Sequence, residues 1–203
     1  VIVKGNTIFR FLLKWHNLSD SELYLKKSTD NGHTWSNGEH IDLGLAYIDS
    51  VGQSGLLLRD GTLLHCFSYV ASPPVGAWRC TLIRSLDDGK TWSQGGVVPL
   101  GGATSLDEPS IVELKDGRIL MFMRTNDGYL FKSYSEDEGL TWTPAVSTGL
   151  VSPSAPCCLY RLSWEPSKLI IAWNKSPTNR YPLVLRYSYD EGETWVDERV
   201  VDN

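Results

Sequence analysis

Short apolar runs separated by turn signals occupy the whole chain, in an order that repeats. Residues 7–13 form such a run after Lys4-Gly5-Asn6. Residues 55–58 and 62–67 flank Asp60-Gly61, and residues 110–114 and 118–123 flank Asp116-Gly117. A looser Glu165-Pro166-Ser167 separates residues 158–162 from 168–173. Asp-Gly between two short apolar runs is a strong hairpin signal. A third run follows each pair after a variable loop, at residues 23–25, 80–83, 130–133 and 183–187. No long segment keeps apolar residues at helical spacing without Gly or Pro interrupting it, so the pattern predicts an all-β chain.

Each third run leads into one phrase, Ser-x-Asp-x-Gly-x-Thr-Trp. It reads STDNGHTW from Ser28, SLDDGKTW from Ser85, SEDEGLTW from Ser135 and SYDEGETW from Ser188. The Trp-to-Trp spacings are 57, 50 and 53 residues, the mark of an array of similar supersecondary units. The phrase reads as a turn. The Asp carboxylate can accept backbone N–H groups just ahead of it, and Gly permits a positive φ. Thr-Trp is expected to open the return strand, with the indole wedged against a neighbouring unit. Four short antiparallel strands per unit at this period describe a β-propeller blade. About four blades are expected, over roughly residues 1–45, 46–100, 101–150 and 151–203, the last cut short after Val200-Val201. The Pro/Gly-bearing stretches 71–77, 95–102 and 152–156 read as loops within one continuous domain.

Composition narrows the function classes. The 203 residues carry a formal net charge of −5, and no Lys/Arg run suggests a phosphate track, which argues against nucleic-acid binding. No apolar stretch reaches membrane-spanning length and no signal peptide opens the chain. Val1-Ile2-Val3 reads as mid-strand, as in a mature form or a fragment. Cys66 and Cys80 lie in runs that can pair, so a bridge is conceivable; four buried thiols are the simpler expectation. No His/Cys ligand spacing indicates a metal, and His16, His33, His40 and His65 show no triad spacing. Asn17-Leu18-Ser19 and Asn174-Lys175-Ser176 match the short glycosylation pattern.

A propeller does not name a function, so the candidates are charged residues where inner strands begin or end. Asp107-Glu108-Pro109 precedes one such strand and Arg124 closes the next. Arg180 leads into the last third strand. The second repeat has Asp49, Ser50 and Gln53 in the corresponding places, with no Arg. Trp78, Trp173 and Tyr129 are aromatic candidates for a sugar pocket, although blade interfaces use aromatics freely.

The four phrases resemble the Asp-box, or bacterial neuraminidase repeat, and residues 108–124 resemble the sialidase (neuraminidase) superfamily. In that family a Glu begins such a strand and an Arg ends the next. The resemblance implies Glu108 as that Glu, Arg124 as the second member of an arginine triad and Arg180 as the third. It also implies an exo-acting glycoside hydrolase of terminal sialic acids, with a sialylated glycan or other acidic sugar as partner and no metal or organic cofactor. The residue types suit that chemistry. Planar guanidinium groups bind a carboxylate through paired charge-assisted hydrogen bonds. A Tyr made nucleophilic by a Glu avoids the repulsion a carboxylate nucleophile would meet at the acidic sugar.

The chain also departs from the family pattern. The family's first Arg, in an Arg-Ile-Pro phrase, is absent, as is the Asp acid two dozen residues later. Arg10 lies inside a second strand, and Asp20 is about one blade too close to Glu108. The nucleophilic Tyr would fall beyond Asn203, and the family has six blades. The resemblance therefore implies an incomplete part of such a propeller. Two alternatives stay open: a non-catalytic Asp-box propeller that binds a glycan or protein, and an Asp-box enzyme acting on another glycan through Asp carboxylates. Exposed edges of an open array also allow self-association.

Overall fold

In the computed structural model, which describes residues 1–17, 19–49, 55–71 and 76–202, the chain forms four antiparallel sheets and, among the described residues, no helix. Blade 1 is β1 (Ile2–Lys4), β2 (Thr7–Asn17), β3 (Asp20–Ser28) and β4 (Glu39–Ile41). Blade 2 has β5 (Tyr47–Asp49) and β6 (Gly55–Leu57), both paired with β7 (Leu63–Val70), then β8 (Trp78–Ser85) and β9 (Ser93–Gln94). Blade 3 is β10 (Asp107–Glu113), β11 (Ile119–Arg124), β12 (Tyr129–Ser135) and β13 (Val146–Val151). Blade 4 is β14 (Cys158–Ser163), β15 (Lys168–Asn174), β16 (Leu183–Ser188) and β17 (Val196–Asp202). The last blade is thus not cut short: β17 pairs with β16 along its length. Ser50, Gln53, Leu18 and most of the 71–77 loop lie outside the described residues.

The blades stack face to face, and the core lies between them. Phe9, Leu23, Phe67 and Ile83 join blades 1 and 2; Leu64, Leu82, Met121 and Trp142 join blades 2 and 3; Leu120, Phe122, Leu159 and Trp173 join blades 3 and 4. Burial follows this arrangement. Every residue of β7, covered from both sides, is buried, whereas β14 alternates and β17 is exposed throughout. A strand covered on both faces reads as a continuous apolar run, and one covered on a single face alternates.

The boxes make the stacking possible. In box 3 the Ser135 hydroxyl donates to Asp137 Oδ1 at 2.8 Å and accepts the Gly139 amide at 2.8 Å. Asp137 accepts the Thr141 amide at 2.8 Å and its hydroxyl at 2.6 Å. The other three boxes repeat this set. Two consecutive residues take positive φ in each box, Glu138 (+56°) and Gly139 (+86°) in the third. That reversal presses the turn onto the preceding blade: a Cβ on Gly139 would lie 2.6 Å from Leu82 Cδ2. The box Trp follows. Trp92 meets Phe11 of blade 1 edge-on at 5.2 Å, and Trp195 meets Phe122 of blade 3 at 5.8 Å. Because the indole is held in the turn, Thr-Trp does not open the return strand in blades 1 and 3, where β4 and β13 begin at Glu39 and Val146.

Ion pairs cross the same seams. Lys4 of blade 1 meets Asp88 of blade 2 at 2.5 Å. Arg84 and Arg59 of blade 2 meet Glu138 and Glu113 of blade 3. Lys115 and Lys132 of blade 3 meet Glu165 and Glu193 of blade 4 at 2.9 and 3.8 Å. Asp88 and Glu138 are box residues preceding the Gly; box 1 has Asn31 there. Cys66, Cys80 and Cys157 are free thiols and buried. Cys66 and Cys80 cannot bridge in register, since Cys66 faces Leu82 and Cys80 faces Ser68. Cys158 is exposed, contrary to four buried thiols.

Two outcomes follow from the boxes. Gly139→Ala combines a positive φ with a clash against Leu82, and should lower the unfolding free energy by roughly 2–4 kcal/mol. Gly149→Ala, at φ +72° with open space beside it, should cost only about 1 kcal/mol; equal urea midpoints for the two would discount the seating. The second outcome concerns acid. The Thr34 hydroxyl and amide, with Ser28, hold the Asp30 carboxyl at about 2. The Thr91 amide and hydroxyl lower Asp87 likewise. At Asp137 burial pulls upward but is outweighed by the Thr141 and Ser135 bonds. A depressed native value contributes stability present above the unfolded value, about 3.9, and lost as pH falls through the folded one. Urea midpoints should therefore drop most steeply below about pH 4, and less steeply in the Asp87→Asn/Asp137→Asn variant.

Candidate functional site

Within blade 3, β10 runs away from Asp107 to the Asp116-Gly117 turn and β11 returns to Arg124, beside Asp107 in register. The β12 strand then descends to box 3. The boxes and Asp-Gly turns thus share one end of the propeller, and the starts of first strands and ends of second strands share the other, here the upper end.

Glu108, Arg124 and Arg180 meet at the upper end. A register shift between Asp107 and Ser110 marks a β-bulge in β10, and Glu108 sits in it at φ +41°, a conformation that costs a non-Gly residue about 1 kcal/mol or more. In a regular strand Asp107 and Glu108 would point to opposite faces. The bulge turns both toward one guanidinium: Arg124 Nη1 donates to Glu108 Oε2 at 2.8 Å and lies 3.6 Å from Asp107 Oδ2. Asp107, 6% exposed, is fixed by the Ser68 hydroxyl at 2.5 Å and the Glu108 amide at 2.8 Å.

The arginines are linked by one serine. Arg124 Nε donates to Ser154 Oγ at 2.9 Å, and that hydroxyl donates to Asn126 Oδ1 at 2.6 Å. Arg180 Nη2 donates to the Ser154 carbonyl at 3.0 Å, and the Arg180 carbonyl accepts Asn174 Nδ2 at 2.7 Å. Ser154 stands in the loop from blade 3 to blade 4, so it ties Arg124 of one blade to Arg180 of the next. Arg124 Nη2 has no hydrogen-bond partner among the described residues. The arrangement has two guanidinium edges open to an anion, beside a carboxylate pair.

The other candidates lie elsewhere. Trp173 is 1% exposed, its indole N–H spent on the Val151 carbonyl at 3.0 Å, so it is a core residue and lines no pocket. Asp20, at the β2–β3 hairpin, is exposed and, among the described residues, shares no ion pair or hydrogen bond with the cluster. Arg10 packs over Trp35. Tyr47 is the tyrosine beside Asp107, but burial, together with the Asp49 and Asp107 charges, pushes its phenol up, which makes it a poor nucleophile. Among the described residues no group of His, Cys, Asp and Glu could hold a metal ion. Sequence reasoning missed Ser154, Asn126 and Ser68, which carry no motif.

A model for the BNR repeat-like domain matches residues 4–203. The chain is 28% identical over 191 residues to a sialidase of Bacteroides fragilis, covering 88% of this chain and 34% of that protein. It is 29% identical over 192 residues to a sialidase of Micromonospora viridifaciens, covering 85% and 29%. The chain therefore spans about a third of the length of these relatives. Among solved structures, the Hadza microbial sialidase Hz136 superposes with a TM-score of 0.77 at 25% identity, over 90% of this chain and 37% of that one. Trypanosoma rangeli sialidase in complex with sialic acid shares the fold, with a TM-score of 0.72 at 19% identity over 92% and 35% of the two chains. Four boxes, four propeller blades and a match along almost the whole sequence together mean that the chain belongs to the BNR repeat-like domain family, within the sialidase superfamily.

Proposed function

We propose that the upper-end cluster is the glutamate–arginine half of a sialidase site, in a protein that releases terminal sialic acids from glycoconjugates as an exo-acting glycoside hydrolase. The observation that carries this reading is the junction at Ser154, which holds Arg124 and Arg180 side by side with Glu108 on the inner guanidinium edge. The open edges of Arg124 and Arg180 would receive the sugar carboxylate through charge-assisted hydrogen bonds. Glu108, paired with Arg124, would be the base that draws a proton from a tyrosine hydroxyl. The substrate carboxylate then meets cations at one end and a neutral hydroxyl at the reacting carbon.

A second reading has its own support. No tyrosine hydroxyl is hydrogen-bonded to Glu108 among the described residues, so the same cluster would also serve a non-catalytic module that holds an acidic glycan. Binding and turnover separate the two readings. The isolated chain should bind N-acetylneuraminic acid, and Arg124→Met should weaken that binding by about 10- to 100-fold, the worth of a hydrogen-bonded charge pair. Ligand-observed NMR titration measures this, and unchanged affinity in Arg124→Met would dismiss the carboxylate site. The same chain should release little or no fluorophore from an aryl sialoside. Robust release abolished by Glu108→Gln would instead mean that acid and nucleophile are present within these residues.

A further inference from the structure

Three aromatic rings continue from the cluster toward blade 1 along the upper end. Trp15, near the end of β2, meets Tyr47 at the start of β5 with 5.5 Å between ring centroids and 68° between planes. Tyr47 meets Trp78, at the start of β8, at 5.4 Å and 48°. Tyr47 is 6% exposed and Trp15 52%, and Trp78 is half-buried. The row therefore has a buried centre flanked by two accessible indoles.

Backbone bonds fix the row to the cluster. The Trp78 carbonyl accepts the Leu106 amide at 3.1 Å, and the Trp78 amide donates to Ser105 Oγ at 3.1 Å, immediately before Asp107. At the other end Ser21 faces Trp15 across β2 and β3. Its amide and hydroxyl donate to the Ala46 and Ile48 carbonyls at 2.9 and 2.8 Å, and the Ile48 amide returns a bond at 2.7 Å. Tyr47 lies close enough to Asp107 to feel its charge. A single exposed indole on a hairpin would be ordinary. Three rings in contact, fixed by main-chain bonds and leading through Ser105 and Leu106 to Asp107 of the charged cluster, form a composite surface.

That surface has a charged end and an apolar extension of two accessible indoles set apart by a buried ring. The ligand that matches both is a short glycan: an acidic sugar on the arginines, linked to neutral pyranoses whose C–H faces stack on indole while their hydroxyl edges stay in water. We infer that Trp15 and Trp78 form a carbohydrate subsite for the neutral hexopyranose units that follow the acidic sugar. The inference rests on the acidic-sugar reading above and adds the part of the ligand which that reading leaves unplaced.

The test compares free N-acetylneuraminic acid, 3′-sialyllactose and lactose, each titrated into the purified chain and followed by ligand-observed NMR. Sialyllactose should bind roughly fivefold more tightly than the free acid, the scale of one aromatic stacking contact. Trp15→Ala and Trp78→Ala should each bring sialyllactose down toward the free acid and leave the free acid unchanged, while Trp15→Phe keeps most of the difference. If Trp78→Ala fails to fold, Trp15→Ala decides alone, because that indole is half in water. Equal affinity for the two acidic sugars, or a difference that survives loss of either indole, overturns the subsite and leaves the arginine reading standing. No binding of the free acid overturns both.

Discussion

The seating of the second, third and fourth boxes against the blade before each governs the rest of the molecule. A blade buries little on its own. Its apolar faces become core when the next blade is pressed against it at fixed distance, and the box sets that distance. Two successive positive φ values fold the turn back, the Ser, Asp and Thr side chains satisfy its amides, and the missing Cβ at Gly139 lets the turn close onto Leu82. A looser turn would separate the sheets by a methyl group or more, and close-packed interiors do not absorb such gaps.

The boxes and the charged cluster occupy opposite ends. The lower end is regular and repeated four times. The upper end is irregular and occurs once, where a bulge, a serine-rich loop and the starts of two strands meet. Glu108 pays for its place in backbone strain. The strained residue stands where its carboxylate meets Arg124, and the pairs Ser68–Asp107 and Arg124–Glu108 hold it there.

Much of the fold could be read from sequence because its signals are local. Asp-Gly turns, apolar runs and boxes each declare themselves within eight residues. Glu108 and Arg124 were readable for a related reason: one hairpin separates them, so their neighbourhood follows from pairing β10 with β11. The bulge was not readable, since register is a property of two strands together. Ser154 was invisible because it acts on Arg124 and Arg180 across a blade boundary, and nothing in Ser-Pro-Ser-Ala-Pro marks such a role. The largely polar, solvent-facing VDERVVD of β17 concealed a full fourth strand, and Cys158 looked like its buried neighbour because the two share a sequence context but point to different faces.

The ion pairs between blades share one sense. At every seam the earlier blade supplies the cation and the later blade the acid: Lys4 to Asp88, Arg84 to Glu138, Lys132 to Glu193. The more exposed of these pairs, such as Lys4–Asp88, add little stability, but together the pairs make the array vectorial. A blade inserted backwards would set cation against cation at one seam and acid against acid at the next, whereas two exchanged blades would keep cation facing acid. Like-charge juxtaposition is a strong discriminator between right and wrong partners. Asn31, in the one box with no earlier described blade to meet, carries no such charge. The chain thus encodes the direction in which its parts stack, in a syntax of charge written over units whose shapes are otherwise nearly interchangeable.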